Sequence, residues 1–170
     1  MNIIVLGISH SGTTITTKML QSLGWNVGDA DDYYCESEKV RLVNENLLCK
    51  THVGDINENF FAEFRQPWVI KDPRFVFTLS YWATVFQSQS IELPFVLFVQ
   101  RENTEVLNSY KGRGEDSNNF QYGRLCGGKY MTSVPKQEKA AEVEYEAWKG
   151  PKCIVQYEDI AKAVSLFRKN

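Results

Sequence analysis

Ile3-Ile4-Val5-Leu6-Gly7-Ile8-Ser9-His10-Ser11-Gly12-Thr13-Thr14 reads as a short apolar strand, a loop bounded by two glycines, and the start of a helix. Strand, tight loop and helix in that order aim several backbone N–H groups and a helix N-terminus at one point, where an anion such as phosphate or sulfate is held. Gly7 lets the chain leave the strand in a conformation that a side chain would obstruct, and Gly12 lets the backbone approach a ligand closely. Ser11, Thr13 and Thr14 add hydroxyl donors. A nucleoside-triphosphate P-loop follows its second glycine with Lys and then Ser or Thr, and Thr13 stands where that Lys belongs. The stretch is a phosphate cradle without the lysine, or an ordinary strand-to-helix turn that contains two glycines.

Beyond the loop, Ile15, Met19, Leu20 and Leu23 recur at helical spacing, and Gly24 is placed to stop that helix. Trp25 to Gly28 reads as a brief second strand, and the acidic Asp29, Asp31 and Asp32 as a surface loop. From Glu36 to Leu48, Val40, Val43, Leu47 and Leu48 describe one helical face, with Glu38, Lys39, Arg41 and Glu45 elsewhere. Gly54 to Arg65 is polar at first and then helical in character, and Pro67 ends it. Trp68 to Lys71 is a short buried strand closed by Asp72-Pro73-Arg74, where Asp72 suits an N-cap and Pro73 the first turn of a helix from Phe75 to Phe86. Phe95 to Val99 is the plainest buried strand, with Arg101 just past its end and a helix from about Thr104 to Tyr110 after it. Gly112 to Ser133 is expected to be a long irregular segment, a lid or an acceptor-side loop, with Lys111, Arg113, Arg124 and Lys129 in or beside it. Lys136 to Lys149 reads as a helix, Lys152 to Gln156 as a strand and Asp159 to Phe167 as a last short helix.

Strands alternating with helices imply right-handed crossovers and a central parallel sheet covered on both faces, an α/β three-layer sandwich. Ligands in such folds lie beyond the carboxyl ends of the strands. Three expected strand ends deliver His10-Ser11-Gly12, Lys71-Asp72 and Arg101 to that edge.

A length of 170 residues suits a single domain spanning 1–170. The formal net charge of −2 excludes a surface that attracts nucleic acid as a whole, so any anion site must be a local patch. Cys35, Cys49, Cys126 and Cys153 show neither C-x-x-C nor His-paired spacing, so neither a zinc site nor a redox pair is suggested and they are expected to be structural or incidental thiols in a reducing compartment, with no metal centre. The amino terminus carries no basic region followed by a long apolar run, and no apolar run approaches the ~20 residues of a membrane span. A cytoplasmic protein with no membrane span and no nucleic-acid partner is the expectation.

Ser11-Gly12-Thr13-Thr14, Lys71-Asp72-Pro73-Arg74, Arg101 with Ser109, and Tyr157-Glu158-Asp159 together resemble, in order and over most of the chain, the motif set of PAPS-dependent sulfotransferases. The resemblance is greatest to the bacterial-type branch, through Tyr33-Tyr34-Cys35-Glu36, Asn44-Glu45 and Leu47-Leu48 after the first helix, and through Trp68 to Trp82 around the K-D-P-R strand. It implies a fold of P-loop nucleotide-binding type and transfer of a sulfuryl group from 3′-phosphoadenosine 5′-phosphosulfate (PAPS) to a hydroxyl or amine, leaving 3′-phosphoadenosine 5′-phosphate. His10, Ser11, Gly12, Thr13 and Thr14 would hold the 5′-phosphosulfate, Arg101 and Ser109 the 3′-phosphate, and Tyr157 would lie near the adenine. Residue chemistry agrees with the second of these. Arg offers a planar donor fork, and Ser109, eight positions on, falls about two helical turns further along.

Sulfuryl transfer should proceed as phosphoryl transfer does, by in-line displacement in which the protein positions groups and stabilises charge. His10, where relatives commonly place Lys or Arg, and Lys71 are the candidates to stabilise the leaving oxygen. Asp72 is the first candidate for the base that takes the acceptor proton, with Glu36 second and His52, in a Lys50-Thr51-His52 resembling the K-T-H of cytosolic sulfotransferases, third. Asp72 could equally serve only as a helix cap. The acceptor would be a small molecule or a glycan. Two other functions fit the same loop: a non-catalytic nucleotide-binding module, and an ATP- or GTP-dependent kinase, against which Thr13 speaks.

Overall fold

The computed structural model of the chain describes residues 1–54, 56–61, 64–112, 120–122 and 130–167. Four strands, β1 (Ile3–Leu6), β2 (Val69–Lys71), β3 (Phe95–Gln100) and a last strand, Lys152–Gln156, form a parallel sheet. Two further strands, β4 (Phe120–Tyr122) and β5 (Tyr130–Thr132), pair with each other antiparallel, which makes the last strand of the parallel sheet β6. The helices are α1 (Thr13–Ser22), α2 (Glu38–Cys49), α3 (Phe75–Ser88), α4 (Asn103–Gly112), α5 (Val134–Ala147) and α6 (Tyr157–Phe167).

The apolar alternation of β1 shows why the sheet is covered twice. Ile3 and Val5 point to the face where Ile15, Met19 and Leu20 of α1 and Ile160 and Val164 of α6 pack. Ile4 and Leu6 point to the other face, against Val40 and Val43 of α2, Phe75, Leu79 and Trp82 of α3, and Ala141 and Tyr145 of α5. A strand buried on both sides needs apolar side chains at successive positions, and Ile3 to Leu6 supplies four, all buried. This is the α/β arrangement with a central parallel sheet between two helical layers.

The strand order β2-β1-β3-β6 decides where a ligand can sit. The chain leaves β1, adds β2 on one side, and then crosses over to place β3 on the other side of β1. The connections after β1 and β3 therefore diverge at their carboxyl ends, and such a switch point opens a crevice. Gly7 to Gly12 follows β1 and Arg101 follows β3, so the two flank it.

Several expectations change in detail. Trp25 to Gly28 makes a single bridge, Asn26 to Trp68, and no strand. The Asn26 side chain accepts from the Gly28 N–H at 2.8 Å and Gly28 turns at φ 63°, which bends the chain away from the sheet. The stretch from Gly112 to Ser133 is not wholly irregular, since β4 and β5 form a ladder with Gln121 opposite Met131. Arg113, Arg124 and Lys129 lie outside the described residues. Among the described residues between Gly54 and Arg65, only Glu58–Phe61 is helical, as one short 3-10 turn. Cys35 and Cys153 are free thiols, whereas Cys49 is disulfide-bonded, so the expectation of incidental thiols fails there. Cys126 lies outside the described residues. Among the described residues no helix is long and apolar enough to cross a membrane.

Candidate active site

The loop after β1 is closed upon itself. Ser11, almost fully buried, donates both its N–H, at 3.2 Å, and its hydroxyl, at 2.8 Å, to the Ile8 carbonyl. A Cβ on Gly7 would lie 2.7 Å from the Ser11 hydroxyl and 2.9 Å from the Val99 carbonyl, so the first glycine is required by the close approach of the loop to β3. Gly12 stands at the N-cap of α1 with φ 98°, a conformation that disfavours any other residue, and no side chain caps the helix there. In contrast, the Ser37 hydroxyl caps α2 by accepting from the Val40 N–H. The hydroxyls of Thr16 and Thr17 turn back to the carbonyls of Gly12 and Thr13. The first turn of α1 thus keeps its positive end toward the switch point.

Around that end, residues from three strand ends meet. Arg101 donates from Nη1 to the His10 carbonyl at 3.1 Å, and its guanidinium carbon lies 4.3 Å from the centre of the Tyr157 ring. The Tyr157 ring packs directly on Gly12, where a Cβ would come within 2.2 Å of it. Ser109, on α4, places its hydroxyl 3.0 Å from Nδ1 of His10, and the His10 ring lies 4.0 Å from the Tyr110 ring. His10 itself has φ 66°, a left-handed conformation in which His is less rare than most side chains. The expected clamp residues, Arg101 and Ser109, are therefore joined through one residue of the loop. Arg101 also reaches Glu105 at 3.5 Å, on the half-exposed rim of α4, and its Nε is buried without a hydrogen-bond partner among the described residues.

A cleft of about 540 Å³ opens beside this cluster, beyond the ends of β3 and β6. Ser11, Arg101 and Gln156 wall it together with the carboxylates of Glu102, Glu138, Glu142 and Glu158. Asn103, which also lines it, donates to Glu138 at 2.6 Å. These carboxylates make the far wall unfavourable to an anion, and Arg101 is the cation that lines the cleft.

The other half of the edge, beyond β2, is a network of charges. Lys71 is buried, and its ammonium donates to Glu36 at 2.8 Å and to the Tyr34 carbonyl at 3.2 Å. The same carbonyl accepts from the Thr14 hydroxyl at 3.3 Å, which ties the first turn of α1 to Lys71. Arg74 bonds Asp72 at 3.0 Å, Glu36 at 3.2 Å and Glu45 at 3.0 Å, and Arg41 bonds Glu45 at 2.9 Å. Burial alone would lower the Arg74 pKa. The charges of Asp72, Glu36 and Glu45 and the Asp72 hydrogen bond outweigh it and raise the pKa.

Asp72, expected as the base, is fully buried, and its Oδ1 accepts from the Arg74 N–H at 2.7 Å as well as from its guanidinium. It closes the turn before α3, with Arg74 at the N-cap position, and fixes the guanidinium that holds Glu36. Glu36 is the carboxylate of this network with a partly exposed side chain, at 15%. His52 is exposed in the segment after α2. Glu45, which the helical spacing sets off the packed face of α2, is instead buried, and the Tyr110 ring adds a contact to His10 that the spacing does not indicate. The signal for Glu45 lay in α2, where Asn44-Glu45 adjoins the apolar positions Val40, Val43 and Leu47. Asn44 is accordingly buried, accepting from Thr78 and Trp82 at 2.8 Å each.

A third group lies between the halves. Asp31 accepts from the N–H groups of Tyr33, Tyr34 and Glu36, and its backbone pairs with Cys35 and Glu36. Burial is the largest single influence on the Asp31 pKa and raises it, but the three N–H groups and the Lys71 charge together prevail and lower it. Burial pushes the Cys35 thiol up, against the nearby Lys18 and Lys71.

Among the described residues no cluster of three or more His, Cys, Asp or Glu is arranged to hold a metal ion. No protein-family model and no curated protein matches the chain.

Proposed function

We propose that this chain is a sulfotransferase of P-loop nucleotide-binding type, moving a sulfuryl group from PAPS to a hydroxyl or amine of an acceptor by in-line, metal-independent displacement. The observation that supports it most is the meeting of His10, Arg101, Ser109 and Tyr157 around the uncapped start of α1 at the switch point of the sheet. A nucleotide with phosphates at both ends needs two anion subsites joined by an aromatic surface. The α1 end with Ser11, Thr13 and Thr14 would serve one phosphate, Arg101 with Ser109 the other, and Tyr157 the base between them.

The donor supplies an activated sulfuryl group, so the protein's task is placement. The N–H groups of Gly12, Thr13 and Thr14 stabilise the charge that grows on the 5′-phosphate oxygen as its bond to sulfur breaks. His10, beside them, donates through its ring and is favoured as imidazolium by an anionic neighbour. Lys71 reinforces the same edge through the Tyr34 carbonyl it shares with Thr14. As the acceptor oxygen bonds to sulfur, its proton passes to Glu36, whose side chain is the more open, while the enclosed Asp72 positions Arg74. A loose transition state asks little of the base, which suits a carboxylate already paired with cations.

Calorimetry with 3′-phosphoadenosine 5′-phosphate and with ATP, in the absence of magnesium, tests the reading. The bisphosphate should bind without metal and ATP should bind little. Arg101→Ala should weaken the bisphosphate about 10- to 100-fold, the worth of a hydrogen bond to a charged group, while leaving adenosine 5′-phosphosulfate, which lacks the 3′-phosphate, much less affected. A preference for ATP with a magnesium requirement would sink the proposal and favour the kinase.

A further inference from the structure

The segment 31–36 crosses the strand-end edge between the two halves of the site, and it exposes two adjacent aromatic rings there. Tyr33 is 67% and Tyr34 53% exposed, in a chain whose large rings Phe75, Trp82 and Phe86 are fully buried. The rings stand 4.6 Å apart at 85°, edge to face, so each fixes the other while a broad face remains open. Their backbone is rigid. Asp31 receives three N–H groups of the segment, Cys35 is buried beneath it at φ 56°, and the Tyr34 carbonyl is held by both Thr14 and Lys71. The next residue but one is Glu36. A built loop that spends its hydrogen bonds on presenting two aromatic rings to solvent, at the edge where chemistry is expected, is suited to stacking a ligand.

The surroundings select the ligand. The exposed Asp31 and Asp32 adjoin the two tyrosines in the chain, and the charge of Lys71 is already answered by Glu36, so an anionic acceptor is repelled. The exposed carboxylate of Asp32 can accept hydrogen bonds from hydroxyl groups. The platform is open rather than an enclosed slot, which suits one ring of a longer molecule better than a small phenol. Pyranose rings have C–H-rich faces that lie on the negative face of an aromatic ring and hydroxyl edges that reach such carboxylates.

We propose that Tyr33 and Tyr34 form the acceptor platform of the site and seat a ring of a neutral saccharide, with one of its hydroxyls directed to Glu36. This assignment rests on the reading of the site as a sulfuryl-transfer centre, and its test separates the two. The full chain is first titrated with 3′-phosphoadenosine 5′-phosphate; lack of binding there overturns the donor assignment and leaves the platform to be judged by the next measurement. Saturation-transfer NMR then compares cellotriose, maltotriose and triacetylchitotriose with para-nitrophenol and trigalacturonate. At least one neutral trisaccharide should bind, with the strongest transfer to its ring C–H protons. Tyr33→Ala with Tyr34→Ala should weaken it about tenfold or more, and the corresponding Phe pair should keep it within about threefold. Bisphosphate binding should survive in both variants, and if the double Ala variant loses it, the single substitutions decide in its place. Absence of trisaccharide binding, preference for the phenol or the anionic sugar, or indifference to the Ala substitutions would overturn the platform.

Discussion

On the β2 side of the strand-end edge, Lys71, Arg74 and Arg41 each end on a carboxylate, within 2.8 to 3.2 Å. On the β1–β3 side, His10 leans on a hydroxyl and a phenol ring, and Arg101 on a carbonyl, an aromatic face and, at 3.5 Å, the half-exposed carboxylate of Glu105. The two sides carry the same kinds of residue and put them to opposite uses. A cation already paired with a buried carboxylate can serve a ligand only by giving up that partner, at a cost of several kcal/mol. Arg101, whose carboxylate partner Glu105 is half-exposed and 3.5 Å away, gives up far less to meet an anion. The β2 side is thus built to hold its own carboxylates still, and the proposed anion subsites fall on the β1–β3 side.

The sharpest way to break that contrast is Arg74→Met. It removes the cation shared by Asp72, Glu36 and Glu45, two of which are fully buried, and leaves their charge unanswered. Breaking a buried pair by deleting one partner costs about 3–5 kcal/mol, read as a lowered midpoint in urea. The comparison predicts that whatever fraction stays folded still binds the bisphosphate, because the residues assigned to it lie on the other side. Loss of bisphosphate affinity in that folded fraction would show that the two halves are one unit.

A smaller effect is expected from Gly12→Ala, which probes the β1–β3 side in the same currency. The new Cβ would come within 2.2 Å of the Tyr157 ring, at a φ of 98° that a side chain rarely adopts. A cost of about 1–3 kcal/mol follows from the backbone alone. The displaced ring would also leave Arg101, so bisphosphate affinity should fall along with stability. A variant as stable as the parent, with unchanged affinity, would mean that the loop and Tyr157 are not packed as described.

These two sides were not equally legible in the sequence. Gly7, Gly12 and the apolar run before them announce a local structure, because the backbone itself needs those residues there. Arg101 could be placed at that edge because it follows β3, whose burial is written in consecutive apolar positions, whereas Tyr157 follows the partly exposed β6 and was pointed to only by the family resemblance. The parallel order could likewise be anticipated, since each strand is followed by a helix. The β2 network was less readable, since nothing local says which of several carboxylates an arginine will meet. Asp72 looked like an available base because position alone was visible, whereas its closure depends on Arg74 folding back over it and on Glu45, reached from α2 across 29 residues. Trp25 to Gly28 failed as a strand for a related reason: its apolar content was right, but the Asn26 side chain captured the Gly28 N–H and turned the chain.

The least costly perturbation falls on the segment that joins the two sides. The Asp31 pKa is lowered from 3.8 in the folded chain, because the N–H groups of Tyr34, Glu36 and Tyr33 and the charge of Lys71 together outweigh its burial. A carboxylate with a depressed folded pKa contributes stability that is present in full above its unfolded value and is lost as pH falls through the folded one. The segment should therefore hold its amides firmly at neutral pH and release them below about pH 4. Because Asp31 is exposed, the change in hydrogen-exchange protection at Tyr33, Tyr34 and Glu36 on Asp31→Ala should be about fivefold or less. The Arg101 contact with His10 shares no partner with Asp31, so exchange at His10 should not move in the same variant. Equal loosening at His10 would mean that the segment braces the anion side as well, and the division of labour along the edge would have to be given up.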